Sequence, residues 1–90
     1  MTKKELEHRQ KKDFRQKLAE IKEKSGCKDC GVTNHIVLDF DHLKDKKYNI
    51  SQMIRDGFSW KSIMKEVEKC EVVCANCHRV RTHNRRIGLA

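Results

Sequence analysis

No stretch of the 90-residue chain is apolar over a length that could cross a bilayer. The opening residues, Met1-Thr2-Lys3-Lys4-Glu5, hold no apolar segment of the kind that marks a secretory signal. Apolar residues are scarce overall, 37% against 38% charged. The expectation is therefore one domain with a modest core, of a size often stapled by a metal or by disulfides. Five cysteines, an odd number, speak against a full disulfide framework. These absences predict a reducing, cytosolic setting with no membrane partner, in which paired Cys-x-x-Cys motifs signify zinc. Acids are also in deficit: 21 Lys and Arg face 13 Asp and Glu, a net charge of +8. That surplus points to a polyanionic partner, most simply nucleic acid, rather than a small-molecule substrate.

What the chain does have is concentrated in two cysteine pairs. Cys27-Lys28-Asp29-Cys30-Gly31 is a tight knuckle, with Gly31 tolerating the backbone such a turn requires. Cys74-Ala75-Asn76-Cys77-His78 supplies the second pair. Four thiolates make a closed tetrahedral zinc site with no open position, so its role is structural and its binding energy counts as folding energy. A thioredoxin-like redox pair would need a single Cys-x-x-Cys in a βαβ setting, which is absent. Cys70 lies four residues before Cys74 and is read as a buried thiol, not a competing ligand.

Taken in order, residues 3–24 read as a charged helix with Phe14, Leu18 and Ile21 as its apolar stripe. It carries nine basic and five acidic residues, a pattern that suits either a solvated helix or one lying along a phosphate backbone. Gly26 suits a left-handed cap at its end. Residues 35–40 read as a strand running into Asp41-His42, with Ile36, Leu38 and Phe40 on one face and Val37, Asp39 and Asp41 on the other. Asp41 would then lie at the strand end, pointing away from the Phe40 core side. After a polar loop, Ile50 to Gly57 reads as a short helix capped by Ser51. A second helix over 60–69, capped by Ser59, carries Trp60, Ile63, Met64 and Val67 at helical spacing, with Phe58 stapled to Ile63. Trp60 belongs to this apolar stripe and is read as core. Glu71-Val72-Val73 forms a second strand, a last helix spans about Cys74 to Arg86, and Leu89-Ala90 are expected to be loose.

In combination, Cys27-x-x-Cys30-Gly31, Leu38-Asp39-Phe40-Asp41-His42 and Val73-Cys74-Ala75-Asn76-Cys77-His78-Arg79 resemble the HNH endonuclease family. The resemblance covers roughly residues 27–85. It implies a small α+β fold: a ββα-metal, treble-clef-like core over 27–86 stapled by the four-cysteine zinc site. A basic N-terminal helix (1–26) and a helical insertion (50–69) between the two strands complete a single nuclease domain, 1–90. By position, His42 would be the general base, Asp41 and His78 the ligands of a catalytic divalent metal, and Asn76 the residue holding the His42 loop. One branch of the family carries a second helical histidine four residues after the first; here that position is Thr82. His83, five residues on, is rotated about 140° from His78 on an ideal helix. The metal is therefore expected to have two protein ligands, completed by water and phosphate.

The residue types suit phosphodiester hydrolysis. A divalent cation neutralises the scissile phosphate and the leaving oxygen, and an imidazole can take a proton from water near neutral pH. Aspartate and histidine together favour Mg²⁺ or Mn²⁺, with Ni²⁺, Co²⁺ and Zn²⁺ compatible through the imidazole. Arg79, Arg81, Arg85 and Arg86 are candidate nucleic-acid contacts, Arg81 first because its i+3 spacing puts it on the His78 face. The expected activity is nicking or cutting of duplex DNA with little sequence readout. A monomer holds one such site, so a double-strand cut would need a dimer or two events. Compact family members are often phage-encoded, and the resemblance suggests bacterial or phage-infected host cytosol. The competing readings are a non-catalytic zinc-finger module that binds nucleic acid and a zinc-stapled protein-interaction domain. The first would need neither Asp41 nor His42.

Overall fold

A computed structural model describes residues 2–88. Helix α1 (Lys3–Ser25) begins with a reciprocal cap. The Thr2 hydroxyl accepts the Glu5 N–H at 3.2 Å, and the Glu5 carboxylate accepts the Thr2 N–H at 3.4 Å. It ends at Gly26, where φ is 66° and the backbone N–H bonds to the Lys22 carbonyl. Its stripe is as expected: Phe14 and Leu18 are buried and Ile21 packs beside them.

The knuckle follows, and its turn is closed by the Gly31 N–H on the Cys27 carbonyl, with Gly31 at φ 82°. The first strand is shorter than the apolar run 35–40 suggests. The Asn34 side chain accepts the Ile36 N–H at 3.0 Å, which winds His35–Val37 into a 3₁₀ turn. Ile36 is consequently 79% exposed and does not share the Leu38 face. Strand β1 (Leu38–His42) starts after that turn.

Two helices fill the insertion. In α2 (Ile50–Arg55) the cap is Asn49, one residue inside the expected loop, so Ser51 is helical and not a cap. In α3 (Trp60–Val67) the Ser59 hydroxyl accepts the Ser62 N–H at 3.2 Å, as the sequence predicts. Trp60 is half-buried against Phe14, with ring centroids 5.1 Å apart. Strand β2 (Cys70–Cys74) runs antiparallel to β1, longer by a residue at each end than 71–73. Helix α4 (Ala75–Arg86) leaves it without a loop. Leu89 and Ala90 lie outside the described residues.

The architecture is thus a small α+β arrangement around a two-stranded sheet. Leu38 pairs with Cys74, Phe40 with Val72 and His42 with Cys70. Two apolar clusters flank the sheet. One joins α1, α2 and α3 through Phe14, Leu18, Met53, Ile54 and Ile63. The other gathers Leu38, Val72 and Val73 about Cys27 and Cys74. Phe40 packs against both. Among the described residues, no helix is long and apolar enough to cross a membrane.

Candidate metal centre and adjoining cleft

Each cysteine pair makes the same local turn. The Cys30 N–H bonds to Cys27 Sγ and the Cys77 N–H to Cys74 Sγ, both at 3.4 Å. Cys74 ends β2 and caps α4 at once, so the second pair is fixed by both elements. The knuckle is tied to β2 by the Lys28 N–H on the Val72 carbonyl at 2.9 Å. All four sulfurs of Cys27, Cys30, Cys74 and Cys77 lie within 4.8 Å of one another. Zn–S bonds of 2.3 Å in a tetrahedron imply sulfurs about 3.8 Å apart. Cys30 Sγ and Cys74 Sγ are 3.7 Å apart. The group is therefore able to hold a metal ion such as zinc.

Ionisation of the tetrad is uneven. Burial opposes the Cys27 thiolate, yet backbone N–H groups of Cys74, Cys30 and Asp29 outweigh it and bring its pKa down to about 6. The Cys77 thiol is pushed far up, first by its hydrogen bond with Cys74 and then by burial. Four thiolates cannot crowd together without a cation, so metal binding must release protons. Cys70 stays outside the tetrad, half-buried, with its thiol donating to the Glu66 carbonyl at 3.3 Å. Burial and then the charges of Glu66 and Asp41 raise its pKa to about 11.

Beside the tetrad, β1 presents Asp41 and His42 on opposite faces, as strand alternation requires. The Asp41 face, away from Phe40, is covered by α4, so Asp41 is 2% exposed. Arg85 grips its carboxylate with two bonds, Nη1 to Oδ1 at 2.8 Å and Nη2 to Oδ2 at 2.7 Å. Arg81 Nη1 reaches Oδ2 at 2.9 Å. Hydrogen bonds from Arg85, then Arg81, outweigh burial and lower the Asp41 pKa to about 2. Each carboxylate oxygen offers about two lone-pair directions. Oδ2 has used both, while Oδ1 keeps one, on the atom 3.5 Å from His78 Nε2. The other ring nitrogen of His78, Nδ1, is 3.3 Å from Asp39 Oδ2.

His42 turns the other way. Its Nε2 is 3.0 Å from Glu66 Oε2, and Lys69 Nζ meets Oε1 of the same carboxylate at 2.7 Å. The Lys69 bond, then the His42 bond and the Tyr48 N–H, overcome burial and lower the Glu66 pKa to about 2. His42 and His78 nevertheless line one cleft of about 470 Å³, together with Asp39, Lys22, Lys46 and Arg55. The Lys22 ammonium sits 5.1 Å from the centre of the Phe40 ring, and burial there lowers its pKa against the pull of Asp39.

The structure thus puts Asp41 3.5 Å from His78 and lets His42 and His78 line one cleft, with Asp41 and His42 on opposite faces of β1, and it separates the remaining site candidates. Asn76 lies about 160° around α4 from His78, so it is exposed beside Arg79, Val80 and His83 and does not meet the His42 loop. Arg79 and Arg86 are exposed. Arg81, the first phosphate candidate, is spent on carboxylates instead. It pairs with Asp29 through Nε and Nη2 at 2.7 and 2.8 Å, and with Glu71 at 3.1 Å besides Asp41. The spacing that puts it on the His78 face also lays it on the strand pair Asp41–Glu71, whose like charges need a cation between them.

Asp39, Glu66, Lys22, Lys46 and Arg55 were not singled out from the sequence. Asp39 had a signal, since it shares the Asp41 face two residues earlier. Glu66 had a better one, as the acid lying between Ile63 and Val67 on the apolar side of α3. The three cations reach the cleft from α1, a loop and α2, and no local pattern marks them. No family model, curated protein or solved structure matches the chain.

Proposed function

We propose that the chain is a metal-dependent endonuclease of the HNH type, with a ββα-metal core, that hydrolyses DNA phosphodiesters. The observation that carries this reading is the shared cleft. Two imidazoles from distant parts of the chain line it, a buried carboxylate lies beneath one of them, and Lys22, Lys46 and Arg55 border it. Zinc in the tetrad would be structural, because four thiolates leave no open position.

The donor pair Asp41 Oδ1 and His78 Nε2, 3.5 Å apart, suits one cation with bonds of roughly 2.0–2.2 Å. Mg²⁺ or Mn²⁺ held there would supply the charge that neutralises the scissile phosphate and its leaving oxygen. Arg85 and Arg81 keep Asp41 ionised and fixed for that task. His42 takes the proton from the attacking water. Lys22, Lys46 and Arg55 bind the phosphates flanking the scissile bond, a role the sequence assigned to α4. Arg79 and Arg86, exposed on the far side of α4, suit a backbone running past the cleft.

One observation favours the alternative of a non-catalytic zinc module that binds nucleic acid: the Asp41 charge is already met by two guanidinium groups and needs no metal to be stable. Supercoiled plasmid incubated with zinc-loaded protein and Mg²⁺ or Mn²⁺ separates the two. Open-circle or linear product that disappears with EDTA and with His42→Ala supports the nuclease. Tight, salt-sensitive plasmid binding with no product across several divalent metals supports the binding module.

A further inference from the structure

We propose that Glu66 is the positioning residue for His42: its carboxylate fixes the ring with the proton on Nε2 and so presents the Nδ1 lone pair to the cleft. The consequence for catalysis rests on the nuclease reading; the ring's tautomer does not. Glu66 comes from α3, in the insertion between the strands, while His42 ends β1, 24 residues earlier. The Glu66 side chain is 4% exposed and that of His42 10%, so water does not loosen the pair. An ionised carboxylate has no proton to give. A 3.0 Å contact with Nε2 therefore requires the ring to donate there, which in the neutral ring leaves Nδ1 as the acceptor.

Glu66 is itself held. Lys69 Nζ bonds to its other oxygen at 2.7 Å and to the Asp45 carbonyl at 3.2 Å. The Lys69 carbonyl accepts the Leu43 N–H at 2.9 Å, directly after His42. Lys69 thus ties the carboxylate and the chain beyond the histidine to one point. A buried acid on an apolar helix face persists only with such partners. When water attacks, its proton passes to Nδ1, the Nε2 proton stays on the ring, and the Glu66 charge stabilises the imidazolium.

The test uses the ¹⁵N-labelled, zinc-loaded full chain without added catalytic metal, reading which His42 nitrogen carries the proton from long-range ¹H–¹⁵N correlations. Kinetics on a labelled duplex with Mn²⁺ accompany it. The expected result is Nε2–H in the wild type and a mixed population in Glu66→Gln, with kcat about 10–100-fold lower and KM unchanged. Lys69→Gln, at a side chain 27% exposed, loosens Glu66 without removing it and should give a smaller loss of kcat. An Nδ1–H or evenly mixed wild-type ring overturns the proposal even if Glu66→Gln does not fold. So does a Glu66→Gln protein that keeps both the wild-type tautomer and the wild-type kcat. A wild type that shows Nε2–H, loses it in Glu66→Gln, and cleaves nothing upholds the positioning while removing the nuclease.

Discussion

The cysteine tetrad and the cleft are built on the same strands and the same helix, yet they hold their polar groups by opposite means. In the tetrad four like groups face one another within 4.8 Å. In the cleft every buried charge already has a protein partner: Asp41 has Arg81 and Arg85, and Glu66 has Lys69 and His42. The first arrangement would draw its stability from a metal such as zinc. The second is complete without one. Arg81 links the two, since one guanidinium spans Asp29 in the knuckle and Asp41 beside the cleft.

Breaking the tetrad should have the largest effect. Structural zinc contributes about 10–16 kcal/mol in small zinc modules, more than a 90-residue domain can lose. Cys30→Ser, or chelation of the wild type, should abolish the cooperative melting transition seen by circular dichroism. Breaking the cleft should leave that transition in place. His42→Ala is expected to lower cleavage by about 10²–10⁴-fold with zinc content and Tm near wild type, measured on the same preparation. A Tm that collapsed with His42→Ala would erase the distinction between the two regions.

Removing the strut lies between these. Arg81→Met leaves Asp41 to Arg85 alone and Glu71 facing Asp41 across the strands; a cost of about 1–3 kcal/mol is expected from urea unfolding of the zinc-loaded protein. The smallest effect is a pH dependence. The Glu66 pKa is lowered in the folded state, so its contribution is present above the ordinary carboxylate range and fades as pH falls towards about 2. The difference in urea midpoint between wild type and Glu66→Gln, in excess zinc, should therefore hold near neutral pH and begin to narrow as pH falls from about 6 to about 4.5, where zinc is still bound. A constant difference would mean that Glu66 acts through shape and not charge.

Local chemistry was legible where it rests on spacing. Two Cys-x-x-Cys turns, the Ser59 cap, the Phe14–Leu18–Ile21 stripe and the Trp60 helix each follow from neighbours within a few residues. The strand start was not, because a single Asn34 side chain redirects the backbone at Ile36 and outweighs β-propensity. Arg81 shows the same limit at longer range. Its place on the His78 face follows from helical spacing, but whether it met phosphate or carboxylate depended on which strand lay beneath.

Residue type and local spacing were enough to set the four sulfur donors, the doublet Asp41-His42 and the excess of positive charge. Tertiary structure alone decided which carboxylate each histidine meets. The antiparallel register sends Asp41 to α4 and His42 to α3, and packing brings Lys22, Lys46 and Arg55 to the rim. A buried charge is defined by its partners. Partners drawn from α1, α3 and α4 are chosen by how the elements pack, which no local pattern records.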